Sequence, residues 1–206
     1  MHQIPSFPLE PRAVCIYCAS SPNVAPDILA AGKKLAELLA QAGLEMVYGG
    51  TTCGLMLATA QAHKAAGGRL IGVVPRFMIE RGIQNPDLDE TIVSDSMADR
   101  KTAMQKRSGA FVCLPGGMGT YDELFDTLTQ RQLRLLPKPI IMLNTRGYYE
   151  PLMAMLKRGV AEKIIMVEHL QLLTLLDTPE EVIEFLRHPP PEPVSPIAGE
   201  LMFRVK

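Results

Sequence analysis

Short apolar segments alternate with segments of helical periodicity along most of this chain, and this alternation constrains its fold more than any other feature. The segments are apolar at consecutive positions, which is typical of strands covered on both faces. Strands are predicted at residues 13–18, 45–48, 70–75, 91–94, 110–114, 138–144 and 170–176. The pattern predicts an α/β fold with a doubly wound, mostly parallel sheet flanked by helices.

Helical periodicity fills most of the connections between these strands. Helices are predicted at residues 26–41, 55–66, 97–106, 120–134 and 149–158. A closing helix should begin after Thr178, because Pro179 suits the first helical position and Glu181 can complete a capping box. Residues 76–90 lack a regular period, and we expect a long loop there that could cover a functional site.

The 206 residues are most simply one domain, which we place at residues 13–188. Residues 1–12 are then an N-terminal extension. Residues 189–206 form a proline-rich tail, in which five prolines favour an extended polyproline path.

The charge balance argues against several classes of partner. A formal net charge of −1 and a pI near 6.4 do not favour nucleic acid, and no basic run is interleaved with aromatic residues. No apolar run approaches the roughly 18 residues that a membrane-spanning helix needs. The N-terminus also lacks the charged and apolar regions of a secretion signal, so we expect a cytoplasmic protein without membrane contact.

Four cysteines include one C-x-x-C pair, Cys15 and Cys18. A structural zinc site would need a second pair or suitably spaced histidines, and neither accompanies it. In a redox motif the second cysteine would enter a helix, whereas this pair lies in a predicted strand and turn. We therefore expect no metal site and four free thiols.

The string LPGGMGTYDE at residues 114–123 carries the strongest functional indication. Its glycines, Gly116, Gly117 and Gly119, fall where a predicted strand gives way to a helix. Such a turn lets backbone N–H groups approach an anion, and the helix N-terminus adds partial positive charge. The string predicts a phosphorylated ligand.

Two carboxylates, Asp122 and Glu123, are expected in the first turn of that helix, where they would oppose a phosphate unless they face another part of the ligand. Glu123 also has a purely structural interpretation, as the third member of a capping box that starts at Thr120. Arg100 and Lys101 open the preceding predicted helix. They are either solvated or counter-charges for a phosphate at the same edge of the sheet.

Other phosphate-binding motifs are absent from the sequence. No GxxxxGK[ST] string occurs, and GGTTCG at residues 49–54 does not fit the dinucleotide pattern GxGxxG. The sequence therefore does not favour ordinary ATPase or NAD-dependent chemistry.

Taken together, these strings resemble the Lonely Guy family of cytokinin-activating phosphoribohydrolases. The resemblance covers residues 13–187 and rests on VCIYCASSP, VYGGTTCGLM, IGVVP, LPGGMGTYDEL, LNTRGYY and the Arg100-Lys101 pair. It implies a Rossmann-like homodimer or larger assembly that hydrolyses the N-glycosidic bond of nucleoside 5′-monophosphates. AMP and N6-modified, cytokinin-type AMP are the implied substrates. Members were long labelled lysine decarboxylases, but no pyridoxal phosphate site is recognisable, and no cofactor is implied.

The resemblance also implies roles for individual residues. Arg100 and Glu123 match the catalytic pair of the family. Substrate-binding positions are implied at Lys101, Gly116, Gly117, Met118, Gly119, Thr120, Tyr121, Asp122, Thr129, Ser20, Gly50 and Glu80. The chain departs from many relatives at Ala98 and Asp99, where they have His-Glu, and at Thr51, where they have a third glycine. Both departures could alter recognition of the base.

Two other functions stay open from the sequence. One is a carrier module that binds a nucleotide or the molybdenum cofactor without hydrolysis, and the other is a general nucleotide-salvage nucleosidase. A pure carrier would not need both Arg100 and Glu123, so their joint presence favours an enzyme.

Overall fold

The computed structural model of the protein describes residues 8–191. Within these residues seven strands alternate with seven α-helices. The strands are β1 (Ala13–Tyr17), β2 (Glu45–Tyr48), β3 (Leu70–Pro75), β4 (Glu90–Ser94), β5 (Ala110–Cys113), β6 (Ile140–Leu143) and β7 (Thr174–Leu176). The helices are α1 (Pro26–Gln41), α2 (Gly54–Ala65), α3 (Arg76–Glu80), α4 (Met97–Arg107), α5 (Met118–Gln132), α6 (Glu150–Ala161) and α7 (Pro179–Arg187).

The strands form one parallel sheet in the order β4-β3-β2-β1-β5-β6-β7. Val14 of β1 is paired with Met46 of β2 on one side and with Ala110 of β5 on the other. The chain therefore reverses its direction of travel across the sheet between β1 and β5. This confirms the doubly wound α/β fold, and it predicts a ligand site beyond the carboxyl ends of these two strands.

Both faces of the sheet are buried by helices. Val14 and Ile16 of β1 face a core that includes Leu35 of α1, while Cys15 and Tyr17 face a core that includes Leu124 of α5. Successive side chains of a strand point to opposite faces, so two covered faces require apolar residues at every position. This requirement explains why the strands are recognisable as continuous apolar runs.

Two sequence predictions of elements are corrected by the structure. Residues 76–90 are more ordered than an irregular loop, because they contain α3, and Gln84 forms an antiparallel bridge with Thr51. Only Thr174–Leu176 of the predicted strand 170–176 is extended, since Val167–Leu172 forms a 3-10 helix. A short apolar run does not separate a buried helical segment from a strand. The capping box of Thr178 and Glu181 at the start of α7 is confirmed.

The cysteines within the described residues are free, with Cys15, Cys18 and Cys113 buried and Cys53 half-buried. No helix among residues 8–191 is long and apolar enough to cross a membrane. Residues 1–7, and the tail beyond residue 191 that was predicted as polyproline, lie outside the described residues.

Candidate active site

A cavity of about 250 Å³ opens at the carboxyl edge of the sheet, beyond the ends of the adjacent strands β1 and β5. Its walls come from segments that follow β1, β2, β3 and β5, together with one side chain from α4. The lining residues are Cys18, Ser20, Thr51, Cys53, Met56, Met78, Ile83, Arg100, Gly117, Met118, Gly119, Thr120 and Glu123. The position agrees with the general rule for ligand sites in open α/β sheets.

The segment with Gly116 and Gly117 between β5 and α5, here called the glycine turn, forms one end of this cavity. Gly117 is the N-cap residue of α5, and the uncharged residues Met118, Gly119 and Thr120 begin the first helical turn. The first N–H groups of a helix lack partners within the helix and point beyond its end. A side chain at Gly116 would meet Thr120 Oγ1, only 2.1 Å from the added Cβ. This end of the cavity therefore has the geometry of an anion site.

The helix begins earlier than the sequence predicted, and this changes the interpretation of Glu123. Because α5 begins at Met118, Asp122 and Glu123 lie in its second turn instead of its first. The prediction of a capping box from Thr120 to Glu123 was therefore wrong. The N-cap residue is Gly117, which has no capping side chain. The carboxylate of Glu123 therefore has no capping role, and it lies about one helical turn beyond the first N–H groups.

Helical spacing separates the two neighbouring carboxylates. Thr120 and Glu123 are three residues apart and share the face of α5 that lines the cavity. Asp122 points instead towards α4, where its Oδ1 accepts a hydrogen bond of 2.8 Å from Lys101 Nζ. Asp126 Oδ1 lies 3.7 Å from the same ammonium group. Lys101 therefore ties α4 to α5 beside the cavity.

Arg100 is a buried residue of the cavity wall, and main-chain carbonyl groups in β3 and just after β2 hold its side chain. Its Nε donates to the carbonyl oxygen of Val73, and its Nη2 donates to that of Gly49, both at 3.0 Å. Its Nη1 lies 3.8 Å from Oε1 of Glu123. The side chains of Arg100 and Glu123 are only 7% and 13% exposed. Because each of its three nitrogens is directed at a different oxygen atom, the guanidinium has one preferred position.

Burial raises the pKa of Glu123 to about 7. The charge of Arg100 acts in the opposite direction and lowers the pKa, while the nearby charge of Asp122 raises it. A carboxyl group with a pKa near neutrality can both hold and release a proton under physiological conditions. Perturbed carboxylates inside cavities are frequent at catalytic sites.

The structure brings together about half of the predicted site residues. Ser20, Arg100, Gly117, Met118, Gly119, Thr120 and Glu123 line the cavity. Four more predicted residues do not line the cavity: Lys101 donates a hydrogen bond to Asp122, and Tyr148 accepts one from Tyr121 and donates one to the carbonyl oxygen of Gly116. Gly50 is buried beside Gly72, while Thr129 and Glu80 are exposed and do not line the cavity.

Six lining residues were not predicted as substrate-binding positions: Cys18, Thr51, Cys53, Met56, Met78 and Ile83. Thr51 was noted only as a departure from relatives. Most of the others are apolar or sulphur-containing side chains, and sequence pattern alone does not distinguish such residues from core positions. Their position after β1, β2 and β3 is the observation that would have identified them.

Gly49 provides a test of how closely Arg100 must be held. A Cβ at this position would lie 2.1 Å from Arg100 Nη2, so Gly49→Ala must displace the guanidinium. We expect kcat to fall at least about tenfold, while the free energy of unfolding falls by only about 1 kcal/mol because a side-chain end can shift. Steady-state kinetics and urea denaturation measure the two effects.

Gly159→Ala is the matched control for that substitution. Its Cβ would also crowd a side-chain end, Ile165 Cδ1 at 2.7 Å, but on α6 and away from the cavity. We expect a similar loss of stability with kcat unchanged. Equal kinetic effects in the two variants would show that activity does not depend on the position of the Arg100 guanidinium.

Comparison with known proteins adds independent information. The family model described as possible lysine decarboxylase matches residues 56–186. A protein of Oryza sativa subsp. japonica, named as a probable cytokinin riboside 5′-monophosphate phosphoribohydrolase, is 34% identical over 94% of this chain and 79% of its own length. The cytokinin riboside 5′-monophosphate phosphoribohydrolase of Mycobacterium tuberculosis is 36% identical over 82% of this chain and 90% of its own length.

Solved structures with the same fold are more distant in sequence. The molybdenum cofactor carrier protein of Chlamydomonas reinhardtii superposes with a TM-score of 0.64 at 21% identity, over 84% of this chain and 96% of that protein. The molybdenum cofactor binding protein of Rippkaea orientalis gives a TM-score of 0.64 at 20% identity, over 85% and 95%. At this identity the likeness concerns the fold alone.

Proposed function

The chain belongs to the Lonely Guy family of cytokinin riboside 5′-monophosphate phosphoribohydrolases, and we propose that it hydrolyses the N-glycosidic bond of nucleoside 5′-monophosphates. The products are the free base and ribose 5-phosphate. AMP and N6-modified AMP are the proposed substrates. The single observation that carries the proposal is the juxtaposition of an anion site at the start of α5 with the buried Arg100–Glu123 pair in one cavity.

The glycine turn is proposed to hold the 5′-phosphate. Gly117, Met118 and Gly119 present backbone N–H groups at the N-terminus of a 15-residue helix, and Thr120 is directly beside them. The partial positive charge of a helix N-terminus and unpartnered N–H groups together favour a phosphate. Because the anchor does not touch the base, it fixes the ribose without selecting which base is attached.

Glu123 is proposed to act on the ribose. It lies one turn along α5 from the anchor, about the distance that separates the phosphate of a nucleotide from its sugar. Cleavage of a riboside passes through a state with positive charge on the ring, and a carboxylate stabilises that charge or removes a proton from the attacking water. Either role requires the ionised carboxylate, and the pKa of about 7 leaves it substantially ionised at neutral pH.

Arg100 is proposed to position Glu123. Two of its nitrogens are already bonded to the carbonyl oxygens of Val73 and Gly49, which leaves Nη1 directed at the carboxylate. Its charge lowers the pKa of Glu123 and so opposes the effect of burial. Without it, the carboxyl group would hold its proton at neutral pH and lose its proposed role.

The other end of the cavity is proposed to take the base. Met56, Met78 and Ile83 present flexible or apolar surfaces there, and Thr51 replaces the glycine of many relatives. Methionine side chains adapt to ligands of different shape and contact aromatic rings favourably. This lining is compatible with adenine and with an N6 substituent.

The description of the family model as a lysine decarboxylase does not fit these residues. Decarboxylases that use pyridoxal phosphate hold it as a Schiff base on a lysine. None of the lysines within residues 8–191 lines the cavity, and Lys101, the nearest in sequence to Arg100, is paired with Asp122 and Asp126. No step of the proposed reaction uses that cofactor.

Other predictions from the sequence are carried forward as proposals. We place the catalytic domain at residues 13–188, and we propose that the chain forms a homodimer or larger assembly in the cytoplasm. Dimers are the most common closed assembly of identical chains. The implied roles of Lys101, Gly50, Glu80 and Thr129 in substrate binding stay predictions, since none of these residues lines the cavity of the single chain.

The proposal is tested by comparing AMP with adenosine and N6-isopentenyl-AMP as substrates. If the glycine turn anchors the phosphate, kcat/KM for adenosine should be at least about 10³-fold lower than for AMP. The ratio of the two nucleotides shows whether the base end accepts a prenyl group. Equal rates for AMP and adenosine would contradict the anchor, whereas tight AMP binding without base release would favour a carrier.

The pKa of Glu123 gives a prediction for the pH dependence of the rate. If the ionised carboxylate is the active form, kcat/KM should rise about tenfold per pH unit below about 7 and level off above it. The substrate phosphate itself ionises near pH 6 and also affects the profile. The midpoint is therefore compared with that of an Arg100 variant, in which the ionisation of Glu123 should shift while that of the phosphate does not. A rate that falls as the pH rises through 7 would instead assign Glu123 as a proton donor.

A further inference from the structure

The loop that follows β6 contains two adjacent tyrosines, Tyr148 and Tyr149, that contact the glycine turn from behind. The preceding turn reverses the chain through left-handed backbone at Arg146 (φ 62°) and Gly147 (φ 69°). Neither tyrosine lines the cavity. Both direct their hydroxyl groups at main-chain carbonyls of the segment that joins β5 to α5.

The two tyrosines bond to different carbonyls of this segment. Tyr148 Oη donates to the carbonyl oxygen of Gly116 at 2.5 Å, and Tyr149 Oη donates to that of Leu114 at 2.7 Å. Tyr121 of α5 in turn donates from its Oη to Tyr148 Oη at 3.1 Å. The hydroxyl groups of Tyr121 and Tyr148 thus form a short chain that ends on Gly116, and such chains strengthen each bond by polarisation.

The planarity of the peptide bond gives the Tyr148 contact a consequence inside the cavity. In a trans peptide the C=O and N–H bonds point in opposite directions. Holding the carbonyl oxygen of Gly116 towards Tyr148 therefore directs the N–H of Gly117 away from Tyr148, towards the side where Gly117 lines the cavity. Gly116 and Gly117 have no side chains to restrict rotation of this peptide, so an external contact is needed to fix it.

The Tyr149 contact has no such consequence. The peptide that follows Leu114 ends in Pro115, which has no N–H to direct. Tyr149 is fully buried, and its own N–H donates to Oδ1 of Asn144 at 2.9 Å. Its contact therefore holds the end of β5 in place and contributes to the stability of the fold.

We propose that Tyr148 is a positioning residue for the reaction, which holds the Gly116–Gly117 peptide so that the N–H of Gly117 faces the 5′-phosphate of the substrate, with Tyr121 supporting it. The inference rests on the proposed function, because it assumes that the glycine turn holds a phosphate. Tyr148 is suited to the role because its pKa is raised to about 12, mainly by burial, so its hydroxyl remains a donor at physiological pH.

Binding measurements separate this role from a contribution to folding alone. Isothermal calorimetry with AMP, inorganic phosphate and adenosine would be carried out in the Glu123→Gln background, where turnover does not interfere. Tyr148→Phe should weaken AMP and phosphate about tenfold and leave adenosine within about twofold, because only the phosphate contact is misdirected. Tyr149→Phe should reduce stability to urea more than Tyr148→Phe does, yet weaken AMP by less than about threefold.

Three results would overturn the proposal. They are equal weakening of AMP by the two variants, equal weakening of AMP and adenosine by Tyr148→Phe, and absence of AMP and phosphate binding before either tyrosine is changed. If Tyr149→Phe does not fold, Tyr121→Phe takes its place and should weaken AMP by about two- to threefold, since the bond to Gly116 remains. Failure of the proposed hydrolysis is detected separately, as AMP binding without base release by the unmodified protein.

Discussion

Replacing Glu123 by glutamine is expected to lower kcat for AMP at least about 10³-fold, the largest kinetic effect of any single substitution considered for this protein. Glutamine keeps the shape of the side chain but offers neither a negative charge to the ribose nor a base to water. Because the anion site at the start of α5 is separate from Glu123, the affinity for AMP should change by less than about fivefold. Base release by chromatography and AMP binding by calorimetry measure the two effects.

The same substitution has an expected effect on stability that depends on pH. The pKa of Glu123 is about 7 in the folded chain, above its ordinary value of 4.5, so folding favours the protonated form. The stability from this group is present below about pH 4.5 and is lost as the pH rises through 7. Glu123→Gln should therefore stabilise the protein at pH 8, by about 3 kcal/mol, and have little effect at pH 4.5.

Asp126→Asn is the control for both effects. It also removes a carboxylate from α5, but one that faces Lys101 and Gln105 instead of the cavity. We expect kcat within about threefold of the unmodified protein and no stabilisation at pH 8. Near-normal turnover in Glu123→Gln would contradict the role of the carboxylate, whatever its effect on stability.

Replacing Arg100 by methionine is expected to have the largest effect on stability. The substitution leaves the carbonyl oxygens of Val73 and Gly49 without their donor and Glu123 without its counter-charge. Each buried carbonyl oxygen that loses its donor costs about 1 to 3 kcal/mol. Removal of the positive charge should also raise the pKa of Glu123 above 7, so that the rising limb of the pH–rate profile moves to higher pH.

Arg100→Lys tests the geometry separately from the charge. A lysine keeps the positive charge but does not reach two carbonyl oxygens and the carboxylate together. We expect intermediate stability and a smaller alkaline shift of the profile, with kcat still reduced at least about tenfold at high pH. Urea denaturation and pH–rate profiles of the two variants check this. An unchanged midpoint in both would contradict the influence of Arg100 on Glu123.

The fold was predictable because its determinants are local and repeated. Most strands are covered on both faces, as the two cores on either side of β1 show, so apolar runs and helical periods alternate along most of the chain. The prediction was wrong where a local pattern has two solutions. The run of leucines before β7 forms a 3-10 helix, and α5 begins at Met118, two residues before the threonine that looked like its cap.

The site was predictable only in part, because its geometry depends on contacts between distant residues. The glycine turn follows from the sequence, but the carbonyl oxygens that hold Arg100 lie 27 and 51 residues away. The same is true of Tyr148, which reaches Gly116 across 32 residues. The neighbouring carboxylates of Asp122 and Glu123 also point in different directions, because Glu123 faces the cavity while Asp122 faces Lys101. These directions depend on where the helix begins and how it packs.

Simultaneous quantification of all products from AMP shows whether the protein hydrolyses the glycosidic bond of a nucleotide. We predict that adenine and ribose 5-phosphate appear in equal amounts with the unmodified protein, and that both disappear with Glu123→Gln. Formation of adenosine and inorganic phosphate would instead show cleavage of the phosphate ester. That result, or bound AMP that is never cleaved, would contradict the proposed phosphoribohydrolase activity.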